Sequence, residues 1–254
     1  MEKKPNKILV EAFLRASELL NLNQIIEIGA HGAETSKRFM QKSGKSAFAI
    51  EANPYTLEMF TKKATEFGVT VLNMGIGNDD GKILSHIPMF SNALTQRNAS
   101  FLQRKKEVDT TECMVDMIKL DNLKTNFESN NNTALWIDAE GYGLEVLGGA
   151  SNFLKTYTDL IFIEVESVQH RKQQKTINSI MAYLEEYNFV PILRDFEYSS
   201  QFNLIFVHKD RTKVLNGLID EFVKNFASIS ISKFDIAYLL LSRGFSRIKY
   251  KHFK

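Results

Sequence analysis

Acidic residues recur at the ends of apolar runs that have the length and composition of buried strands. The runs and their acids are IIEI with Glu27, FAIEA with Glu51, LWIDAE with Asp138 and Glu140, and LIFIEVE with Glu164 and Glu166. When such strands are parallel, their carboxyl ends meet at one edge of a sheet, and ligands bind outside that edge. Carboxylates gathered there can attract a cationic ligand, accept hydroxyl groups or act as a base.

A glycine turn follows the first of these runs. Gly29 and Gly32 in EIGAHGAETS let the backbone approach a ligand closely, and Glu51 is placed to accept both hydroxyls of a ribose. A dinucleotide would set its pyrophosphate at the start of the next helix, where Glu34 would repel it. The pattern therefore favours a nucleoside cofactor without phosphates over a dinucleotide, although a degenerate glycine turn is also common without a ligand.

The strand-like runs alternate with helical patterns, which predicts an α/β fold. The apolar runs indicate a Rossmann-like, mostly parallel sheet of seven strands with helices on both faces. The last two runs, FVPILRD and FNLIFVHK, are joined by a connection too short for a parallel crossover, so we expect the last strand to be antiparallel. A helix over 8–20 precedes the sheet, and VTVLNMGI and GLEVLGGASNFLK are predicted as one strand and one helix.

Residues 81–120 interrupt this alternation. KILSHIPM and TECMVDMIKL predict a pair of strands around a long polar loop. Long loops in compact domains are often lids, so we expect Arg97, Asn98 and Ser100 to contact substrate, with Arg97 or Arg104 holding an acidic sugar. The alternative is a solvated connector.

Composition and charge exclude several classes of protein. The 254 residues carry 32 Lys and Arg against 30 Asp and Glu, a net charge of +2, which argues against a nucleic-acid partner. Cys113 is the sole cysteine, so no intramolecular disulfide forms. With no signal peptide and no apolar run long enough to span a bilayer, the expected location is cytoplasmic.

The charge is unevenly distributed along the chain. Residues 211–254 carry a net charge of +6, whereas residues 1–210 carry −4. We therefore divide the chain into an N-terminal helix (1–21), a main domain (22–210) and a basic extension (211–254) with helical patterns over 211–225 and 233–243. The extension packs on the domain, forms a homodimer, contacts an anionic membrane surface or glycan, or is a solvated tail.

Several segments together resemble the FkbM family of S-adenosylmethionine (SAM)-dependent methyltransferases. EIGAHGAETS is similar to the first motif of that family, AIEANP to its second, and VDMIKLDNL to a further segment, while WIDAEGYGLEVLGGA is the most specific match. The resemblance covers roughly residues 22–208 and implies a class I methyltransferase fold. Ala33 stands where the family usually has glycine, and we expect it to require a negative φ.

The resemblance implies SAM as the cofactor and assigns it a site. Gly29 and His31 would line the methionyl end, and Glu51 would take the ribose hydroxyls. Glu27 and Asp138 would meet the methionyl ammonium or order the glycine turn. The remaining cofactor residues are Asn53 after the second strand, and Gly75 and Ile76 beside the adenine.

The implied reaction is O-methylation of a sugar, glycan or natural product, with a small-molecule or glycan acceptor. A base must remove the hydroxyl proton, and the candidates are Glu140, Glu166 and His170. Alternatively, Glu140 stabilises the next helix and His170 is a surface residue. The carboxylates, Asp138 and Glu140 among them, can also hold Mg²⁺, a reading that we do not favour.

Two other functions remain open. One is a nucleotide-dependent oxidoreductase or epimerase on the same sheet, and the other is a catalytically degenerate methyltransferase fold that acts as a binding module. A nucleobase amino-methylase is disfavoured, because DAEG (138–141) stands where such enzymes carry a proline-containing motif.

Overall fold

A seven-stranded sheet forms the centre of the computed structural model, which describes residues 5–89, 98–123, 132–195 and 198–227. Its strands are β1 (Gln24–Ile28), β2 (Ser46–Ile50), β3 (Thr70–Leu72), β7 (Thr133–Ile137), β8 (Thr158–Glu166), β9 (Phe189–Arg194) and β10 (Gln201–His208). The strand order is β3-β2-β1-β7-β8-β10-β9. All neighbours are parallel except β10, which runs antiparallel to both β8 and β9. The predicted sheet with a reversed last strand is therefore confirmed.

Helices cover both faces of this sheet. They are α1 (Pro5–Leu19), α2 (Glu34–Ser43), α3 (Pro54–Glu66), α4 (Gly143–Gly148), α5 (Ser151–Thr156), α6 (Ile177–Glu186) and α7 (Asn216–Ala227). Along β1, Ile25 packs in the core under α1, α2 and α7, whereas Ile26 and Ile28 pack in the core under α4, α5 and α6. Burial on both faces explains why these strands are apolar without alternation.

Two predicted elements are each divided in two. VTVLNMGI forms β3 and the separate short strand β4 (Gly75–Ile76), and Asn73 between them donates its side-chain amide to the backbone carbonyl of Glu51. GLEVLGGASNFLK forms α4 and α5, because the chain turns at Gly149. A Cβ at Gly149 would overlap the carbonyl oxygen of Gly77, so the two backbones touch there.

A second, three-stranded sheet contains the inserted segment. Its order is β4-β6-β5, with β5 (Gly81–Pro88) and β6 (Thr110–Ile118) forming the predicted antiparallel pair. Between them, Ser100 bridges to His86, and Arg104 bridges to Arg171 beyond β8. Arg97, a predicted substrate contact, lies outside the described residues. The second sheet thus brings residues 98–106 over the carboxyl ends of the main strands.

The start of the basic extension belongs to the core. A 3-10 turn (Lys209–Leu215) leads into α7, and Leu215, Leu218 and Phe222 are buried in the same cluster as α1. The second helical pattern of the extension, over 233–243, lies outside the described residues. Among the helices that the structure describes, none is long and apolar enough to cross a bilayer.

The expected negative φ at Ala33 is wrong. Ala33 has a φ of 55° and His31 a φ of 46°, so two non-glycine residues adopt the left-handed conformation in this turn. Ala33 is buried, and its amide donates to the carbonyl of Ala30 at 2.7 Å. Packing and this turn hydrogen bond hold a conformation that costs roughly 1–2 kcal/mol for an L-residue.

Replacing Ala33 by glycine should leave the free energy of unfolding within about 0.5 kcal/mol of wild type, because relief of the left-handed strain offsets the lost methyl burial and the added chain entropy. Ala134→Gly is the control, because Ala134 is fully buried in a strand and has no left-handed strain to relieve. This variant should lower the free energy of unfolding by at least about 1 kcal/mol. Urea unfolding measures both. Equal losses in the two variants would contradict the strain argument.

Candidate functional site

A cavity of about 1320 Å³ opens at the carboxyl ends of the main strands. Twelve predicted site residues line it together: Glu27, Gly29, His31, Glu51, Asn53, Gly75, Ile76, Asn98, Ser100, Asp138, Glu140 and His170. Glu166 is the exception among the predicted site residues that the structure describes. Its side chain is only 2 % exposed, pairs with Arg171 at 3.5 Å and is not among the residues that line the cavity.

Glu27 orders the turn that follows β1. Its carboxylate accepts hydrogen bonds from the backbone amides of Thr35 at 3.3 Å and Ser36 at 2.8 Å, at the start of α2. An acid at a helix N-terminus satisfies amides that have no partner within the helix. Burial raises the pKa of Glu27, and these hydrogen bonds oppose the rise. The sequence predicts that Glu27 either meets the methionyl ammonium or orders the glycine turn, and the contacts of Glu27 match the second role.

Gly29 permits the closest backbone approach in the site. Its φ is 75°, and a Cβ at this position would overlap the carbonyl oxygen of Asp138. The amide of Asp138 in turn donates to the carbonyl of Ile28 at 2.9 Å. The ends of β1 and β7 therefore touch, which brings the glycine turn against the first carboxylate of the DAEG segment.

Glu51 joins the second strand end to the glycine turn. One carboxylate oxygen accepts from the amide of His31 and the other from the amide of Asn53, both at 2.7 Å. Each oxygen retains a lone pair for a ligand hydroxyl. The side chain of Asn53 accepts from the amide of Tyr55 at 3.1 Å and caps α3, so Asn53 shapes the wall of the site through this cap.

Three carboxylates converge at the ends of β7 and β8. Oxygens of Asp138, Glu140 and Glu164 lie within 4.8 Å of one another. Burial and then the neighbouring carboxylates, Glu140 first, raise the pKa of Asp138 to about 7. Burial, followed by the charges of Asp138 and Glu140, raises the pKa of Glu164 well above its usual value. The Oε1 of Glu164 is buried and has no hydrogen-bond partner among the described residues. The cluster carries negative charge that the surrounding protein does not fully balance.

Arg171, which the sequence did not single out, balances part of this charge. Its guanidinium is 3 % exposed and contacts Glu140 through Nη2 and Glu166 through Nη1, the latter at 3.5 Å. The fully buried Gln174 accepts from the amides of His170 at 2.7 Å and Arg171 at 2.9 Å, which fixes the turn that carries the arginine. The sequence offers one signal of this role, because Arg171 follows the strand-end carboxylate Glu166 by five residues.

Ser100 and His170, two further predicted contacts, also line the cavity. The Ser100 hydroxyl donates to the carbonyl of Glu140 at 2.8 Å and accepts from the amide of Leu102, so it anchors the inserted segment to the DAEG turn. His170 is exposed, with Nε2 3.2 Å from the hydroxyl of Ser200. Partial burial, Arg171 and Arg104 lower the pKa of His170, which keeps its imidazole neutral at pH 7.

The reversed strand within a parallel seven-stranded sheet, the glycine turn after β1 and the acid after β2 define a class I methyltransferase fold. A family model, the methyltransferase FkbM domain, matches residues 27–191, and the chain belongs to this family of SAM-dependent methyltransferases. The predicted family is therefore confirmed. The matched range contains the whole cluster from Glu27 to Arg171.

Solved structures of methyltransferases are similar in fold. A precorrin-6y C5,15-methyltransferase from Geobacter metallireducens is 14% identical with a TM-score of 0.44, covering 79% of this chain and 87% of that chain. A magnesium protoporphyrin IX methyltransferase from Synechocystis with bound SAM is 10% identical with a TM-score of 0.46, covering 80% of each chain. No curated protein sequence matches the chain.

The cavity fits the charge of SAM, which carries a sulfonium and an ammonium. A cation beside Asp138 and Glu164 would balance carboxylates whose raised pKa values reflect burial without a counter-ion. Glu51 would face the ribose, and the glycine turn gives the backbone access that the methionyl group needs. The same three carboxylates offer oxygen ligands to Mg²⁺, but Glu140 is already paired with Arg171.

Gly29→Ala should abolish SAM binding and lower the free energy of unfolding by at least about 2 kcal/mol, because the new Cβ meets a backbone carbonyl and φ is positive. Calorimetric titration and urea unfolding measure the two effects. Gly217→Ala is the matched control, since nothing lies within 4 Å of its Cβ and α7 favours alanine. A Gly29→Ala protein that binds SAM normally would contradict the assigned contact.

The cofactor-free protein should lose stability as the pH rises towards 8. Asp138 and Glu166 have pKa values of about 7 in the folded protein, above those of unfolded carboxylates, so the folded state binds more protons between about pH 4 and pH 7. Urea unfolding should give at least about 1 kcal/mol less stability at about pH 8 than at about pH 5. Asp138→Asn should flatten this dependence, and a stability that rises with pH would contradict it.

Proposed function

We propose that this chain transfers the methyl group of SAM to a hydroxyl oxygen of a small-molecule or glycan acceptor, with Glu164 as the base. The observation that carries the proposal is the partly exposed side chain of Glu164, which forms no ion pair among the described residues and has one carboxylate oxygen without a hydrogen-bond partner there. Glu164 lines the cavity beside Asp138, at the strand ends where the methionyl part of SAM is expected.

A hydroxyl acceptor explains why a carboxylate of raised pKa is useful here. Methyl transfer is an in-line displacement, so the protein must align the acceptor oxygen and remove its proton. A base is most effective when its pKa lies near the working pH, and both Asp138 and Glu164 are shifted in that direction. When bound, SAM supplies the electrophilic methyl group on its sulfonium. Its positive charge would also lower the pKa of both carboxylates.

The other candidate bases are less available than Glu164. Glu140 is committed to an ion pair with Arg171, which opposes the rise that burial causes in the pKa of Glu140. His170 is neutral and could accept a proton, but its Nε2 already lies at hydrogen-bond distance from Ser200. Glu164 forms no ion pair among the described residues, and its carboxylate has a hydrogen bond with the side chain of Gln201 there.

The size of the cavity supports a second ligand. Its volume of about 1320 Å³ exceeds the roughly 300–1,000 Å³ of a typical small-molecule pocket. The lining combines apolar side chains with polar ones, and the polar ones beyond the carboxylates include Asn98, Gln169 and Gln201. Amide side chains of this kind both donate to and accept from hydroxyl groups, which suits a sugar or a hydroxylated natural product.

Glu164→Gln should lower methyl transfer to hydroxyl acceptors at least about 100-fold while SAM affinity changes less than about threefold, because the amide keeps the shape but cannot take the proton. The measurement is transfer of labelled methyl groups in a screen of sugars, sugar phosphates and oligosaccharides. Glu140→Gln and His170→Asn are parallel variants that test the two other bases.

Calorimetry with SAM, its demethylated product and NAD separates the enzyme from the alternatives. Tight binding of NAD alone would support the oxidoreductase, and binding of SAM with no transfer in any screen would support the binding module. If Glu164→Gln transfers methyl groups at the normal rate and His170→Asn does not, the base is His170 and not Glu164.

A further inference from the structure

We propose that the acceptor carries a phosphate group, which binds at a basic wall formed by Arg104, Lys105 and Lys106. This inference rests on the proposed methyl transfer and names the chemistry of its acceptor. The basic wall belongs to the inserted segment that the second sheet brings over the cavity.

The basic wall separates two cavities. All three side chains line the main cavity and also a second one of about 580 Å³. An acceptor that extends from one cavity into the other must pass these cations. Glu107 and Asp109 line the second cavity further on, so the positive charge is concentrated at the wall between them.

The cations of the basic wall form no close ion pairs in the described residues, although Glu140 acts on Arg104 from a longer distance. Within the described part of the chain, no carboxylate forms an ion pair with Arg104, Lys105 or Lys106. Lys105 donates instead to the neutral side-chain oxygen of Gln169 at 2.9 Å, which positions its ammonium without cancelling the charge. The wall therefore presents positive charge to the cavity.

Arg104 gives the sharpest sign of a missing anion. A backbone bridge holds it beside Arg171, so two guanidinium groups of like charge are kept close together. Arg171 pairs with Glu140 and Glu166, whereas Arg104 forms no ion pair among the described residues, and the Nε atoms of both arginines are buried without a hydrogen-bond partner there. Burial and the charge of Arg171 lower the pKa of Arg104, and Glu140 opposes the change. An anionic ligand group beside the Arg104 guanidinium would offset the repulsion between the two arginines.

The number of cations favours phosphate over a single carboxylate. One guanidinium satisfies a carboxylate by two parallel hydrogen bonds, whereas a phosphate offers three oxygens and about two negative charges to several donors. Arginine recognises such oxygens with a planar fork, and lysines add point charges. Arg104 lies close enough to Glu140 for their charges to interact, so a phosphate at the basic wall would sit near the strand ends where the sulfonium is expected.

The test is calorimetric titration of the full chain, with the demethylated cofactor present, using pyrophosphate, glucose 1-phosphate, UDP-glucose and glucose as probes. The phosphorylated probes should bind, glucose should not, and rising salt should weaken binding. Comparison of the three phosphorylated probes distinguishes a free phosphate, a sugar phosphate and a diphosphate-linked sugar as the source of the group.

Arg104→Gln should weaken pyrophosphate binding at least about tenfold, and Arg104→Gln combined with Lys105→Gln should remove it. Lys155→Gln is the matched control, because Lys155 is exposed on α5 and forms no ion pair in the described residues. Pyrophosphate affinity should change less than about twofold in that variant.

Three results would overturn the proposal: glucose binding as tightly as glucose 1-phosphate, no binding of any phosphorylated probe, or equal effects of Arg104→Gln and Lys155→Gln. Titration of pyrophosphate in the absence of the demethylated cofactor measures phosphate binding on its own, so its result does not depend on whether the chain binds SAM. Failure to bind SAM would refute the methyl transfer alone, and phosphate binding at the wall would still be measured.

Discussion

Negative charge buried at the carboxyl ends of β7 and β8 is the constraint on which the site depends. Burying several carboxylates within a few ångströms is unfavourable unless cations or hydrogen bonds compensate them. Arg171 compensates Glu140 and Glu166, and backbone amides compensate Glu27. Asp138 and Glu164 also have raised pKa values and form no ion pair among the described residues, so a bound cation would stabilise their ionised forms.

Backbone geometry maintains this arrangement against its cost. Glu140 has a φ of 50° and is followed by Gly141 with a φ of 88°, a reversal that aims the DAEG carboxylates into the cavity. A non-glycine residue in this region persists only where its surroundings hold it, and such positions cluster at functional sites. Here Ser100 bonds the carbonyl of Glu140, and Arg171 bonds its carboxylate.

The cavity contains both acidic and basic side chains. Carboxylates occupy the strand ends, and the basic wall at 104–106 lies on the inserted segment, where Arg104 is close enough to Glu140 for their charges to interact. The site can therefore attract both a cationic cofactor and an anionic acceptor group. The second sheet is therefore part of the site, because β5 and β6 set where the inserted segment crosses the strand ends.

The sequence by itself determined the sheet, its reversed last strand and most residues at the strand ends, because apolar runs and short connections are local patterns. It also placed Glu27, Glu51 and Asp138 in one cavity, since parallel strands end at a common edge. It missed Arg171 and misjudged φ at Ala33. Only the tertiary structure decided these points, because the Arg171–Glu140 pair forms where β7 and β8 end side by side, and the φ of Ala33 depends on how the turn packs in the core.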